Sequence, residues 1–202
     1  VCAVHGASVL THSVRNFREL NRIVAIVVTH PAGLKEITRE SLTVPMEGPP
    51  IRLLPGGRTR QESVLRALVS LEDAQPDIVL IHDGSRPWID IDTIDRVLEG
   101  ANAHGGCVPV VNPIDALKQM NSDGKIVRHV SRDEYRCAQT PQGFVFTEIL
   151  DAHRRASATG KPYLDDAELY HDFVRQVFAV QGNYANKKIT YATDFPTGAQ
   201  ST

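Results

Sequence analysis

The chain has 202 residues, with 22 basic and 24 acidic side chains and a formal net charge of −2. That length suits one α/β domain, and the near-balance of charge leaves no surplus for gripping a nucleic acid by bulk electrostatics. No apolar run approaches the roughly 18 residues of a membrane span, and Cys2, Cys107 and Cys137 form no CxxC pair, so a reduced cytoplasmic protein is expected.

In chain order, Ser8 to Leu20 places Val9, Leu10, Val14 and Phe17 at helical spacing, and the run IVAIVV from Ile23 to Val28 reads as a buried strand. Leu34 to Leu42 forms a second helix and Ile51 to Leu54 a short strand. Glu62 to Leu71 forms a third helix with Val64, Leu65, Leu68 and Leu71 on one face. A second buried strand, Ile78 to Ile81, precedes an amphipathic helix from Ile91 to Ala103. Cys107 to Val111 is another strand, whose Pro109 points to an edge or a strand end.

Residues 112–135 break the rhythm. Ala116 to Met120 and Ile126 to Val130 flank the turn Asn121-Ser122-Asp123-Gly124, a hairpin with few residues to bury in the main core and so a projecting β-arm. Helices over Thr147 to Ala158 and Asp165 to Phe173 follow. Strands at Val177 to Val180 and near Lys188 to Tyr191 complete the chain. Strands apolar on both faces, alternating with helices, predict a doubly wound α/β fold with a mainly parallel sheet in a single domain, residues 1–202.

In such sheets ligands bind beyond the carboxyl ends of the strands. HDGSRP follows the strand Ile78 to Ile81, where Asp83 reaches the rim, Gly84 allows close approach, and Arg86 offers a planar donor fork. The plainer alternative is that Asp83 caps a turn and Arg86 pairs on the surface. LLPGGRTRQESV sets Gly56 and Gly57 between strand and helix, where backbone N–H groups can face an anion or a base edge, or simply make a tight turn. RDEYRCAQTPQGF brings Thr140 and Gln142 around a proline and can be only a rigid return from the arm. Lys187 and Lys188 are either functional or a solvated pair. The 8 histidines fall into no HExxH or His/Cys cluster, so no transition-metal site is predicted.

Taken in order, GGRTRQESV, IHDGSRPW, PIDALK, RDEYRCAQTPQGF, YLDDAE and GNYANKKIT resemble the 2-C-methyl-D-erythritol 4-phosphate cytidylyltransferases of non-mevalonate isoprenoid biosynthesis. The resemblance runs from about His5 to Asp194. It implies CTP and magnesium as requirements, and a homodimer in which each β-arm, residues 112–135, reaches the other subunit.

Carried over by position, Gly56, Gly57, Arg60 and Ser63 match residues on the cytosine and ribose side of CTP. Asp83 and Gly84 match the rim near the ribose and the reacting phosphates, with Asp83 also a candidate magnesium ligand, directly or through water. Arg86, Arg132, Thr140 and Lys188 match positions around the polyol phosphate, and Lys118 matches a lysine on the arm. Lys188, Arg132 and Asp83 are the candidate catalytic residues: two polyanions must meet, so the cations Lys188 and Arg132 should matter more than any general base, and Asp83 can orient a polyol hydroxyl or a magnesium-bound water.

Three departures accompany the match. The family opens with a Gly-rich LAAGxGxRxGxxxPKQ segment, which the sequence from Val1 does not include, and cropping or mobility is the expected reason. Ala116 stands where a threonine is usual, and PTGAQST stands in place of a final helix. The alternatives are a ribitol-5-phosphate cytidylyltransferase and a non-catalytic nucleotide-binding relative.

Overall fold

A computed structural model describes residues 3–4, 6–45 and 47–195; the final stretch PTGAQST lies outside the described residues. The antiparallel pair β1 (Ala3–Val4) and β2 (Ala7–Ser8) turns at Gly6, whose φ of 80° suits glycine, and runs directly into α1 (Val9–Arg18). Ser8 caps that helix by accepting from the Thr11 amide at 2.9 Å, satisfying one of the N–H groups a helix start leaves free.

β3 (Ile26–His30) pairs in parallel with β4 (Ile51–Pro55) across α2 (Lys35–Ser41), which buries none of its residues. α3 (Arg60–Val69), β5 (Ile78–Ile81), α4 (Ile91–His104) and β6 (Gly106–Val111) follow. The arm comprises β7 (Lys118–Met120) and β8 (Ile126–His129), after which come β9 (Cys137–Ala138), β10 (Gln142–Val145), α5 (Phe146–Thr159), α6 (Asp166–Phe173) and β11 (Phe178–Gln181).

The main sheet has the order β11-β6-β10-β5, with β9 alongside β6. β5, β6 and β11 run one way and β10 runs against them. The α/β sheet is therefore mixed and mainly parallel in strand direction, with β9 and β10 inserted antiparallel where the chain returns from the arm. β10 lies in TPQGF, which the sequence reading treats as a return loop. A parallel strand needs a crossover connection, and the short link from β9 has no room for one.

α1 and α4 cover one face through Phe17, Ile89 and Ile94. α3, α5 and α6 cover the other through Leu68, Phe144, Ile149, Leu169 and Tyr170. Gly143 lets α4 sit close, since a Cβ there would lie 2.8 Å from Val97 Cγ1 and 3.1 Å from both Ala101 Cβ and Leu80 Cδ2.

Two expectations are corrected. Pro109 does not mark an edge, because β6 is flanked by β11 on one side and by β10 and β9 on the other. The missing N–H is tolerated because the ladder on that side breaks between β9 and β10, while the Pro109 carbonyl still accepts from the Gln139 amide at 2.8 Å. Residues 188–191 are not a strand; they run as irregular chain into a 3₁₀ turn at Ala192–Asp194. Asp194 draws this segment together instead, its carboxylate accepting from the Thr190 and Tyr191 amides at 2.7 Å.

The arm turns at Gly124 with φ 79°, and the Asn121 side chain accepts from the Asp123 and Lys125 amides at 3.2 and 2.9 Å. Met120, Ile126 and Val127 on it are all exposed. Among the described residues no helix is long and apolar enough to cross a membrane.

Candidate active site

The polar rim forms where β5 ends. Asp83 leaves the strand with its side chain 13% exposed and meets three cations from different parts of the chain. Lys188 Nζ lies 3.0 Å from Oδ2, Arg60 Nε 3.3 Å from Oδ1, and Arg86 Nε 3.6 Å from Oδ2. Burial alone would push the Asp83 carboxyl up, but the Lys188 hydrogen bond and the Arg60, Lys188 and Arg86 charges hold it below its ordinary value. Asp83 is therefore an anion surrounded by positive charge, and the rim is suited to receiving phosphates.

Arg60 is the first residue of α3 and also reaches behind the rim, its Nη2 2.8 Å from Asp166 Oδ2. Asp166 is only 2% exposed and is held on its other side by His153 Nε2 at 3.0 Å. Burial opposes its charge, yet the His153 hydrogen bond and the Arg60 charge keep its carboxyl below the ordinary value. In the same way burial disfavours the Arg60 guanidinium, while Asp166 and Asp83 raise its pKa overall.

The glycine pair folds differently from the expected anion cradle. Gly56 N–H donates to the His30 carbonyl at 2.8 Å, Gly57 N–H to Ser63 Oγ at 2.9 Å, and Arg58 N–H to Glu62 Oε2 at 2.7 Å. All three amides are spent inside the loop, and what the two glycines permit is its close packing on the start of α3. A Cβ on Gly57 would sit 2.2 Å from Glu62 Cβ, and one on Gly56 2.9 Å from Ser63 Oγ. Thr59 caps α3 by accepting from the Glu62 amide at 3.1 Å. A cleft of about 260 Å³ runs from Arg60, Ser63 and Val64 to Asp83, Gly84 and Ser85, joining the start of α3 to the rim.

Thr140 sits beneath Asp83, whose amide donates to Thr140 Oγ1 at 3.0 Å. Arg86 Nη1 donates to the Asn186 carbonyl at 2.9 Å, and Asn186 Nδ2 donates to the Thr140 carbonyl at 2.8 Å. The structure thus brings together Gly56, Gly57, Arg60, Ser63, Asp83, Gly84, Arg86, Thr140 and Lys188. It does not bring in Arg132, whose guanidinium donates to the Ile114 carbonyl at 2.7 Å at the base of the arm. Lys118 and Ala116 are exposed on the arm segment as well.

Asp166 and Asn186 were not singled out from sequence. The doubled acid of YLDDAE and the asparagines of GNYANKKIT were visible, but only the fold shows that Asp166 and Asn186 turn inward. Both Asp83 oxygens face cations, so a magnesium ion bound there directly would have to displace one of those side chains, whereas one held by substrate phosphates could face Asp83 through water.

The family model for 2-C-methyl-D-erythritol 4-phosphate cytidylyltransferase (IspD) matches residues 1–200. The chain belongs to this family. A bifunctional enzyme IspD/IspF of Chelativorans sp. is 38% identical over 201 residues, which is 98% of this chain and 48% of the relative. The chain thus spans about half the length of that relative.

Among solved structures, the 2-C-methyl-D-erythritol 4-phosphate cytidylyltransferase of Thermus thermophilus superposes with a TM-score of 0.78 at 33% identity, over 95% of this chain and 87% of its own. The 4-diphosphocytidyl-2C-methyl-D-erythritol synthase of Anaerococcus prevotii gives 0.86 at 25% identity, over 95% and 84%. For a member of the cytidylyltransferase family, a cationic rim beside a cleft lies where the sheet architecture places ligands.

Proposed function

We propose that the chain is a cytidylyltransferase that joins CTP to 2-C-methyl-D-erythritol 4-phosphate. A phosphate oxygen of the polyol phosphate attacks the α-phosphorus of CTP. The new P–O bond forms as the bond to the β-phosphate breaks, and pyrophosphate leaves with its electron pair. The observation that carries this reading is the convergence of Arg60, Arg86 and Lys188 on Asp83 at the end of β5.

Each side chain has a task in it. The cleft lined by Arg60 and Ser63 takes the nucleoside, with Gly56 and Gly57 shaping the loop that sets these two side chains. Lys188 and Arg86 neutralise the phosphates, and Asp83 and Gly84 define the rim where the substrates meet. Magnesium arrives with the triphosphate as part of the substrate.

Residues 1–202 act as one nucleotidyltransferase domain whose arm, residues 112–135, builds a homodimer. Exposed Ile114, Met120, Ile126 and Val127 support this reading, because apolar side chains on a two-stranded arm need a covering surface. Arg132, at the arm's base, then serves the partner's rim rather than its own. The thiols of Cys107 and Cys137 are free, which supports a reducing cytoplasmic setting.

Pyrophosphate release by the full native chain from CTP and magnesium tests the reading, with methylerythritol phosphate and ribitol 5-phosphate as rival acceptors. Turnover with the former is expected. A clear preference for ribitol phosphate, or CTP binding without release from either, refutes it.

A further inference from the structure

His82 belongs to none of the roles above, yet it joins them. Its ring packs against Phe17, with centroids 5.1 Å apart, and both of its nitrogens have partners. Nδ1 lies 3.0 Å from Thr140 Oγ1 and Nε2 3.2 Å from the Arg86 carbonyl. The contacts close a circuit: His82 to the Arg86 carbonyl, Arg86 Nη1 to the Asn186 carbonyl, Asn186 Nδ2 to the Thr140 carbonyl, and Thr140 Oγ1 back to His82. Asp83, Arg86 and Lys188 all project from the segments it ties.

The direction of this chain is set by two backbone groups that cannot reverse. The Asp83 amide only donates, and it donates to Thr140 Oγ1 at 3.0 Å. The Arg86 carbonyl only accepts, so Nε2 of His82 must carry the proton that faces it. Nδ1 of the neutral ring is then a bare acceptor, and the Thr140 hydroxyl proton goes to it. The opposite tautomer would set the Nε2 lone pair against the Arg86 carbonyl oxygen. Burial supports the neutral ring, lowering the His82 pKa to about 4.

We infer that His82 is a positioning residue which, as the Nε2–H tautomer, commits the Thr140 hydroxyl proton inward, so that towards a ligand Thr140 can only accept. Thr140 is 5% exposed, and after the Asp83 amide and the His82 nitrogen are served it has one lone pair to offer. Its fitting partner is a donor, a hydroxyl of the polyol, and not a phosphate oxygen, which also only accepts. The inference rests on the cytidylyltransferase reading for the identity of the ligand, but the tautomer does not depend on it.

Nitrogen-15 NMR of the imidazoles at about pH 7 tests the tautomer, with the His82 resonance assigned by its loss in His82→Phe. A pyrrole-like Nε2 and a pyridine-like Nδ1 are expected; an Nδ1–H ring or an imidazolium overturns the inference. Kinetics test the consequence. His82→Phe keeps the ring against Phe17 but frees the Thr140 hydroxyl, and KM for the polyol phosphate should rise about tenfold while KM for CTP stays within about twofold.

His82→Asn, whose Oδ1 can accept in place of Nδ1, should recover most of that loss. Equal rises in both KM values, or no recovery with asparagine, refute the positioning role. Should the native chain show no turnover at all, the proposed function fails while the NMR result still decides the tautomer.

Discussion

Lys188→Ala separates a working cation from a surface one. Lys188 is 45% exposed and pairs with an Asp83 side chain that keeps Arg60 and Arg86 after the substitution. Its contribution to stability is that of a screened pair, about 0–1 kcal/mol, which in a chain of this size moves the thermal midpoint by at most about 4 °C. Its contribution to turnover is of another order. A fixed positive group aimed at charge developing in the transition state is worth about 2.7–4 kcal/mol, or about 10²–10³ in rate. The assay is pyrophosphate release at saturating CTP and polyol phosphate, with a melting curve on the same sample. A large loss of kcat with a nearly unmoved midpoint is expected. A variant within about threefold of the parent rate would show that Lys188 is only a solvated side chain.

Asp166→Asn should cost on the order of 3 kcal/mol, because it strips charge from a buried carboxylate that pairs with Arg60 and hydrogen-bonds His153. Its carboxyl is depressed in the folded protein, so this stability is fully present above the unfolded value of about 3.9 and is lost as pH falls through the folded value. Urea midpoints for parent and variant should therefore converge below about pH 4, and a constant gap down to acid unfolding counts against the ion pair. Gly143→Ala drives a methyl into Val97, Ala101 and Leu80 and should lower stability by about 1–3 kcal/mol; an unchanged melting midpoint would refute the close packing of α4. Ile126→Asp combined with Val127→Asp on the arm should halve the mass seen by light scattering. A dimer that survives the change, or a parent that is already monomeric, refutes the arm as interface.

Much of the fold was legible because apolar runs report burial directly. Val64, Leu65 and Leu68 mark α3, and the stretch Ile78–Ile81 marks β5, whose Val79 and Leu80 pack against the two helical layers. β10 escaped for the opposite reason: Gln142, Gly143 and Phe144 carry no alternation, since Gly143 serves α4 and Gln142 turns inward to donate to Asp165 Oδ2 at 2.8 Å. Pro109 misled because a proline's tolerance depends on which neighbour faces its nitrogen, and pairing partners are not written in the strand itself.

For the site, the strand-end position of HDGSRP was readable, and so was the cationic character of the rim. The spending of the Gly56 and Gly57 amides was not, because it depends on His30 and Ser63 being brought to them. Asp166 and Asn186 share this difficulty. A buried acid and a solvated one have the same letter, and only the partner that arrives from elsewhere separates them.

The circuit through His82 also bears on when the site comes into being. Its bonds span 58 residues from His82 to Thr140, 46 from Thr140 to Asn186 and 100 from Arg86 to Asn186. A chain emerging from the ribosome at about 5–20 residues per second can pair β3 with β4 and pack α3 long before Asn186 is made. Until then Arg86 lacks its anchor and Lys188 does not exist, so a nascent chain with most of its core in place still cannot hold the reacting phosphates.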